Sequence, residues 1–252
     1  MSKKTRRLGR YRLGCVLRKV GPIVFFEAYH EDLVVRRRIA AIPREYGEPS
    51  SAAIYVDSPY VVKVYEVGVE KEWSYAVTEW APWPPLSSLL EYRKLSASEA
   101  ATLLHDVLHA LADLEKVGLE HHYLVPDLIL VGPSGFLLDG VGLAHLLDGP
   151  RGSQALAEMI SHAASEIPQW LHETLHLARK EKTREALASL REGLKKSALK
   201  RLARLIVAMA DLNGTANLRK KALALLARGS VNLTEVERLE RELRKILRSQ
   251  VK

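Results

Sequence analysis

Residues 118–144 read GLEHHYLVPDLILVGPSGFLLDGVGLA, and the rest of the chain is arranged around this stretch. Its apolar frame is dense: Leu124, Pro126, Ile129, Leu130, Val131, Leu137, Leu138, Leu143 and Ala144. Set into that frame are His121, His122, Tyr123, Asp127 and Asp139, with glycines at Gly140 and Gly142. The frame speaks to the fold. The inserts speak to the chemistry.

The stretch resembles the catalytic loop and metal-binding turn of protein kinases, H-R-D-L-x-x-x-N followed by D-F-G. Residues 121–128 (HHYLVPDL) fill the first pattern and residues 140–142 (GVG) the second. The resemblance implies that Tyr123 stands where the family keeps the Asp that orients the attacking hydroxyl. Leu128 and Gly140 stand where it keeps the Asn and Asp that hold magnesium. None of the three can do that work, so the chain reads as a pseudokinase and not as an enzyme. Asp127 and Asp139 each lie one residue N-terminal to a metal position. A slipped register would bring them to magnesium, but a one-residue shift on a strand turns a side chain to the opposite face. His121 resembles the family's structural loop histidine, packed in the core.

Upstream, residues 12–17 and 23–28 are β-rich and resemble the first two strands of a kinase small lobe. Between such strands the family places a G-x-G-x-x-G loop over ATP phosphates. Here Arg18, Val20 and Ile23 fall on the glycine positions, and Gly21 is out of register. Phosphate cradling is therefore not expected, although Arg18 and Lys19 could attract anions. The run LVVRRRIA resembles the third strand, with Arg37 in place of the lysine that contacts the α- and β-phosphates. Arginine there is longer, planar and differently hydrated. Residues 43–57 should hold the regulatory helix, but Pro43, Gly47 and Pro49 leave room for a turn or two. Glu45 and Glu48 are the candidate partners of Arg37, set against a reading as solvated loop carboxylates. From Ser58 the match tightens: two β-runs, residues 61–67 and 74–78, end in Thr78-Glu79-Trp80-Ala81, which resembles a gatekeeper and hinge. The family binds adenine at hinge backbone groups, here those of Glu79 and Ala81. Pro82, Pro84 and Pro85 stiffen the crossing into the second lobe.

Helices are expected over residues 87–91 and 98–116, the latter with Leu104, Val107, Leu108, Leu111 and Leu114 at helical spacing. After Ala144 only residues 147–150 precede a helix over 153–165, so the substrate-docking activation segment is missing. The Asp that usually opens the family's central helix falls on Gly152. Helices over 168–179 and 183–194 close a shortened large lobe. Beyond the kinase pattern, helices are expected over 196–212, 217–228 and 235–248, the last opened by a Thr234/Glu237 capping box.

The whole chain has 252 residues and net charge +8, distributed unevenly. Residues 1–38 carry 11 Lys/Arg against 3 Asp/Glu, residues 39–178 carry 7 against 19, and residues 179–252 carry 20 against 8. Basic ends around an acidic middle either pair with one another or present a face to a polyanion. The clusters are Lys195, Lys196, Lys200, Arg201 and Arg204, then Arg219, Lys220 and Lys221, with the N-terminal KKTRR. They make nucleic acid or the ribosome a candidate partner besides protein partners. No apolar run is long enough for a membrane helix and residues 1–10 lack a signal-peptide core, so a cytoplasmic protein with no membrane partner is expected. Scarce Asn and Gln beside abundant Lys, Arg and Glu suggest a hyperthermophile, and with the resemblance an archaeal source. A single cysteine, Cys15, excludes a disulfide framework.

His172-Glu173-Thr174-Leu175-His176 matches H-E-x-x-H, the signature of zinc hydrolases. A third ligand is unclear, and the residues between make a buried stripe that leaves both histidines on its flank. His105 and His109 form a second i,i+4 pair beside a core stripe. Neither is taken as a metal site.

The expected architecture is α+β: a bilobal protein-kinase-like fold with reduced N-lobe, shortened C-lobe and C-terminal helical extension. Residues 1–10 form a basic arm, 11–82 the N-lobe, 83–194 the C-lobe and 195–252 the extension. The expected function is a non-catalytic scaffold or allosteric adaptor, with no cofactor. The alternative is an atypical serine/threonine kinase or ATP-binding protein, holding ATP and magnesium through Arg37, Thr78, Glu79, Ala81, Asp127 and Asp139.

Overall fold

The computed structural model describes residues 6–133, 135–208, 216–227, 235, 236, 238, 239 and 242. Residues 1–5 of the basic arm, most of the helix expected over 235–248 and its capping box lie outside them. The chain divides into two units, Met1–Leu187 and Ala188–Lys252, a boundary a few residues before the expected one at 194.

The first unit opens with six antiparallel strands: β1 (Arg7–Leu8), β2 (Tyr11–Val20), β3 (Ile23–His30), β4 (Arg36–Pro43), β5 (Val64–Glu70) and β6 (Trp73–Thr78). They form one sheet in the order β1-β2-β3-β4-β6-β5. The strands β2 and β3 run longer than expected because Gly21, at φ +55°, and Pro22 close a two-residue turn between Val20 and Ile23. Only glycine accepts that φ without strain. One sheet face carries a cluster of Leu8, Tyr11, Phe26, Ala28, Ile39, Ala41, Tyr75 and Val77. The other face looks into the interior of the unit and carries Phe25, Arg38 and Thr78, all buried. Between β4 and β5 lie two short 3-10 turns, Arg44–Tyr46 and Ser51–Tyr55, in place of a regulatory helix. Pro43, Gly47 and Pro49 do there what the sequence implies.

Helices α1 (Leu86–Tyr92), α2 (Ala97–Lys116), α3 (Gly152–Ala163) and α4 (Gln169–Arg179) follow, with a small hairpin of β7 (Ile129–Val131) and β8 (Phe136–Leu138) after α2. Helix α2 starts at a full capping box in which Ser96 and Glu99 satisfy each other's backbone N–H groups. It buries Leu103, Leu104, Val107, Leu108, Leu111 and Leu114 on one side. At roughly 25 cal/mol per Å2 of apolar surface, such side chains contribute about 2 kcal/mol each. The segment before β5 ties the sheet to the hairpin: the Val62 N–H donates to the Leu138 carbonyl at 2.9 Å, and the Leu138 N–H to that of Tyr60 at 2.8 Å. That seam fixes Asp139, the next residue, beneath the sheet.

Helix α5 spans Thr183–Ala208 without a break, where two helices were expected. Residues 194–197 contain neither glycine nor proline nor a capping pattern, so nothing stops the helix there. In the second unit α6 (Ala216–Ala227) buries Leu218, Ala222 and Leu225, the stripe of an amphipathic helix.

Candidate functional site

Within residues 118–144, Asp127 and Asp139 lie beneath the sheet. Asp139 has no solvent exposure and meets two arginines. From β4, Arg38 donates through Nη2 to both carboxylate oxygens of Asp139 at 2.7 Å. From β2, Arg18 donates to Asp139 Oδ2 and, through Nη1, to the Asp127 carbonyl. Both guanidinium groups lie over the buried Phe25 ring, at 4.3 Å for Arg18 and 5.5 Å for Arg38. Burial lowers the Arg18 pKa, and Asp139 opposes that shift.

The arginine on the carboxylate is Arg38, one residue past the expected Arg37. Strand alternation decides this, since neighbours on β4 point to opposite faces. Arg37 turns away and lies over the Tyr65 ring at 4.1 Å. Glu45 and Glu48 do not take the partner position, which Asp139 fills. Glu48 instead sits 3.8 Å from Arg44 at the surface.

Several further groups of the site are engaged within the chain. Arg38 Nη1 donates to the Ala81 carbonyl at 3.2 Å, and its Nε reaches Thr78 Oγ1 at 3.5 Å. Thr78 Oγ1 donates to the Glu79 carbonyl at 3.3 Å. The Glu79 N–H donates to the Lys63 carbonyl at 2.9 Å, and the Lys63 N–H returns a bond to Glu79 Oε1 at 3.1 Å. Just inside this hinge lie Val62, Ala81 and Leu130, packed by Trp83 and Leu137. Asp127 accepts from Ser87 Oγ at 2.7 Å. The structure therefore brings Thr78, Glu79, Ala81, Asp127 and Asp139 together, and adds Arg18 and Arg38.

Leu128 is fully buried, and Gly140 sits against it at φ +75°. A Cβ at Gly140 would stand 3.2 Å from a Leu128 methyl, so these two positions form an apolar contact. The ring of Tyr123 reaches the β2–β3 turn, its hydroxyl 3.2 Å from where a Cβ on Gly21 would be. The hairpin tip is thus seated on the loop. A magnesium–nucleotide does not fit this donor set: both carboxylates are bonded within the chain, and no carboxylate or amide side chain stands at Tyr123, Leu128 or Gly140. His121 is buried, with Nε2 2.9 Å from the Asp139 carbonyl oxygen. That acceptor makes Nε2 the protonated nitrogen. Burial holds its pKa down to about 4.

The other motifs fall elsewhere. His172 and His176 are exposed on α4, flanking the buried Thr174 and Leu175, and no metal-holding group of three side chains occurs among the described residues. His105 and His109 meet at 4.6 Å with tilted rings; His109 stacks on Tyr60, His105 meets Tyr60 edge-on, and His105 Nδ1 lies 2.9 Å from Asp106 Oδ1. Of the basic clusters, Lys195, Lys196, Arg219, Lys220 and Lys221 are exposed. Lys196 lies 3.5 Å from Glu192 and Lys221 3.4 Å from Glu242. The side chains of Lys200, Arg201 and Arg204 lie outside the described residues.

Sequence missed Arg38 because every residue from Arg38 to Ile42 is buried, so no polar alternation marks which face is which. It also missed the inward turn of Arg18, for which the only available signal is a lone arginine where a glycine-rich loop would be.

No protein-family model matches the chain, and no curated protein matches it significantly in sequence. Solved structures do match it. A single mutant of the kinase domain of Mycobacterium tuberculosis PknI is 14% identical with a TM-score of 0.63. A double mutant of the same domain is 13% identical with a TM-score of 0.64. Both cover 77% of this chain and 99% of theirs. At such identity the likeness is one of fold, and the fold is protein-kinase-like, α+β, as expected. Among the described residues no helix is long and apolar enough to cross a membrane.

Proposed function

We propose that this kinase-fold chain is a pseudokinase, a scaffold whose cleft is closed by its own arginines and whose lobes serve protein partners. The observation that carries the reading is the convergence of Arg18 and Arg38 on the buried Asp139, with Arg38 and Thr78 occupying the hinge acceptors of Ala81 and Glu79. Phosphoryl transfer rests on a positioned hydroxyl and on metal ions that neutralise developing charge. Tyr123, Leu128 and Gly140 supply neither, and the carboxylates of Asp127 and Asp139 are committed to Ser87 and to the two arginines. A nucleotide would have to break three buried charge-assisted bonds before making its own, and such bonds are worth about 1.5–3 kcal/mol each.

Titration with ATP and magnesium should leave the melting temperature unchanged, because only a ligand that binds the native state raises it. Incubation with γ-labelled ATP should leave the chain and added protein unlabelled. A rise of several degrees, or label transfer abolished by Asp127→Asn and Asp139→Asn, would favour the atypical-kinase reading instead. A cytoplasmic setting fits this proposal, and copies purified from native cells would identify the partner.

A further inference from the structure

We propose that the cleft-side mouth of the sheet is a binding platform for single-stranded nucleic acid, built from Arg12, Tyr29, Arg36 and Trp80. These residues form one row: Arg12 on β2 is paired with Tyr29 on β3, and Tyr29 with Arg36 on β4, so all three share a face. Arg12 lies over the Tyr29 ring at 5.7 Å, and Arg36 over the Trp80 ring at 3.5 Å. Glu27, on the same face, aligns the row by accepting from Tyr29 Oη and Arg36 Nε, each at 2.7 Å. Gly14 leaves the space that Glu27 occupies, since a Cβ there would stand 2.9 Å from its carboxylate.

The row differs in kind from the buried pair deeper on the same face. The Arg36 side chain is 49% exposed, Arg12 is exposed, and Tyr29 and Trp80 are half-buried. Arg10, in the turn before β2, is exposed nearby and has no ion pair among the described residues. Single-stranded nucleic acid is held by this combination: planar side chains and guanidinium planes for the bases, and loose positive charge for the phosphates. Three neighbouring strands span about 10 Å, room for roughly two or three bases. An acidic peptide would use the charge but leave the planes idle, so it is the weaker match.

The test is fluorescence anisotropy of the whole chain with labelled single-stranded RNA of about ten nucleotides, beside duplex RNA and polyglutamate. Single-stranded RNA should bind more tightly than either competitor and weaken as salt rises. Arg12→Ala and Arg36→Ala, checked for unchanged melting, should each reduce affinity about tenfold. The variants Arg12→Lys and Arg36→Lys keep the charge but lose the plane, and should also bind poorly. Full rescue by lysine, equal binding of polyglutamate, or loss only when Lys195 and Lys196 are replaced would overturn the proposal, as would no binding at all. None of these outcomes depends on whether the cleft takes ATP.

Discussion

A carboxylate with no solvent exposure between two guanidinium groups is best judged by what its removal leaves behind. Asp139→Asn would strand Arg38, itself 3% exposed, without a counter-charge, whereas Arg18 retains some contact with water. An unpaired buried charge costs about 3–5 kcal/mol. The melting temperature of a chain this size should fall by roughly 10 °C. Arg38→Met combined with Asp139→Leu should recover part of that loss, because it removes the most deeply buried charges and leaves only Arg18, which keeps some contact with water, without its partner. Differential scanning calorimetry of the three proteins reads this directly. A second residue-scale prediction concerns His121. Its folded pKa, about 4, lies below the ordinary 6.5 because burial disfavours the imidazolium. A depressed value means the contribution to stability is intact above pH 6.5 and is lost as pH falls toward 4, where the unfolded chain takes up the proton first. That linkage amounts to about 3 kcal/mol. Denaturant midpoints between pH 7 and 4 should fall accordingly in the native chain, and the slope should be absent in His121→Asn. At this scale the sequence was only partly legible. It gave His121 its core position, but Arg37 and Arg38 are distinguishable only once the strand's two buried faces are known.

Elements were easier to read where a local signal closes them and harder where none does. Helix α2 has its capping box and its heptad-like stripe in plain sight, and the structure places it within one residue of expectation. The β2–β3 hairpin was read short because Arg18 and Lys19 are polar, although the Gly21-Pro22 turn was present to extend both strands. Helix α5 was divided in two by a boundary drawn from the end of a family pattern, marked in the residues only by Gly193, which a helix interior tolerates at a cost of about 1 kcal/mol. The capping box also gives the element-scale prediction. Arg93 first, and then the Ser96 bonds, hold the Glu99 carboxyl down to about 2. Its contribution is therefore complete above the usual carboxylate value near 4.5 and disappears as pH falls toward 2. With the side chain about one-third exposed, Glu99→Gln should cost about 1 kcal/mol at neutral pH. Chemical denaturation at pH 7 and pH 2.5 should show the difference shrinking at the lower value. An equal gap at both would mean that packing, and not the carboxylate, is what α2 loses.

For the whole molecule, the two-lobed architecture was legible because an apolar frame is degenerate: many sequences satisfy the same burial pattern, and residues 124–144 keep it whatever polar residues are set into it. Function resides in sites, and here the site differs from its frame. Charge distribution is the other whole-molecule property the sequence discloses, and it leads to the last prediction. The basic excess near the C-terminus is not all available, since Lys196 and Lys221 stand within reach of Glu192 and Glu242. Lys195, Arg219 and Lys220 are exposed without an ion pair among the described residues. If that end is a polyanion surface, its strength should follow counterion release: retention on heparin should fall steeply between low and physiological salt. Charge reversal at Arg219 and Lys220 should then lower the eluting salt concentration, while Glu192→Gln and Glu242→Gln should raise it by freeing Lys196 and Lys221. Were the acidic middle of the chain the true partner of these cations, the same reversals would instead lower the melting temperature and leave heparin elution where it was.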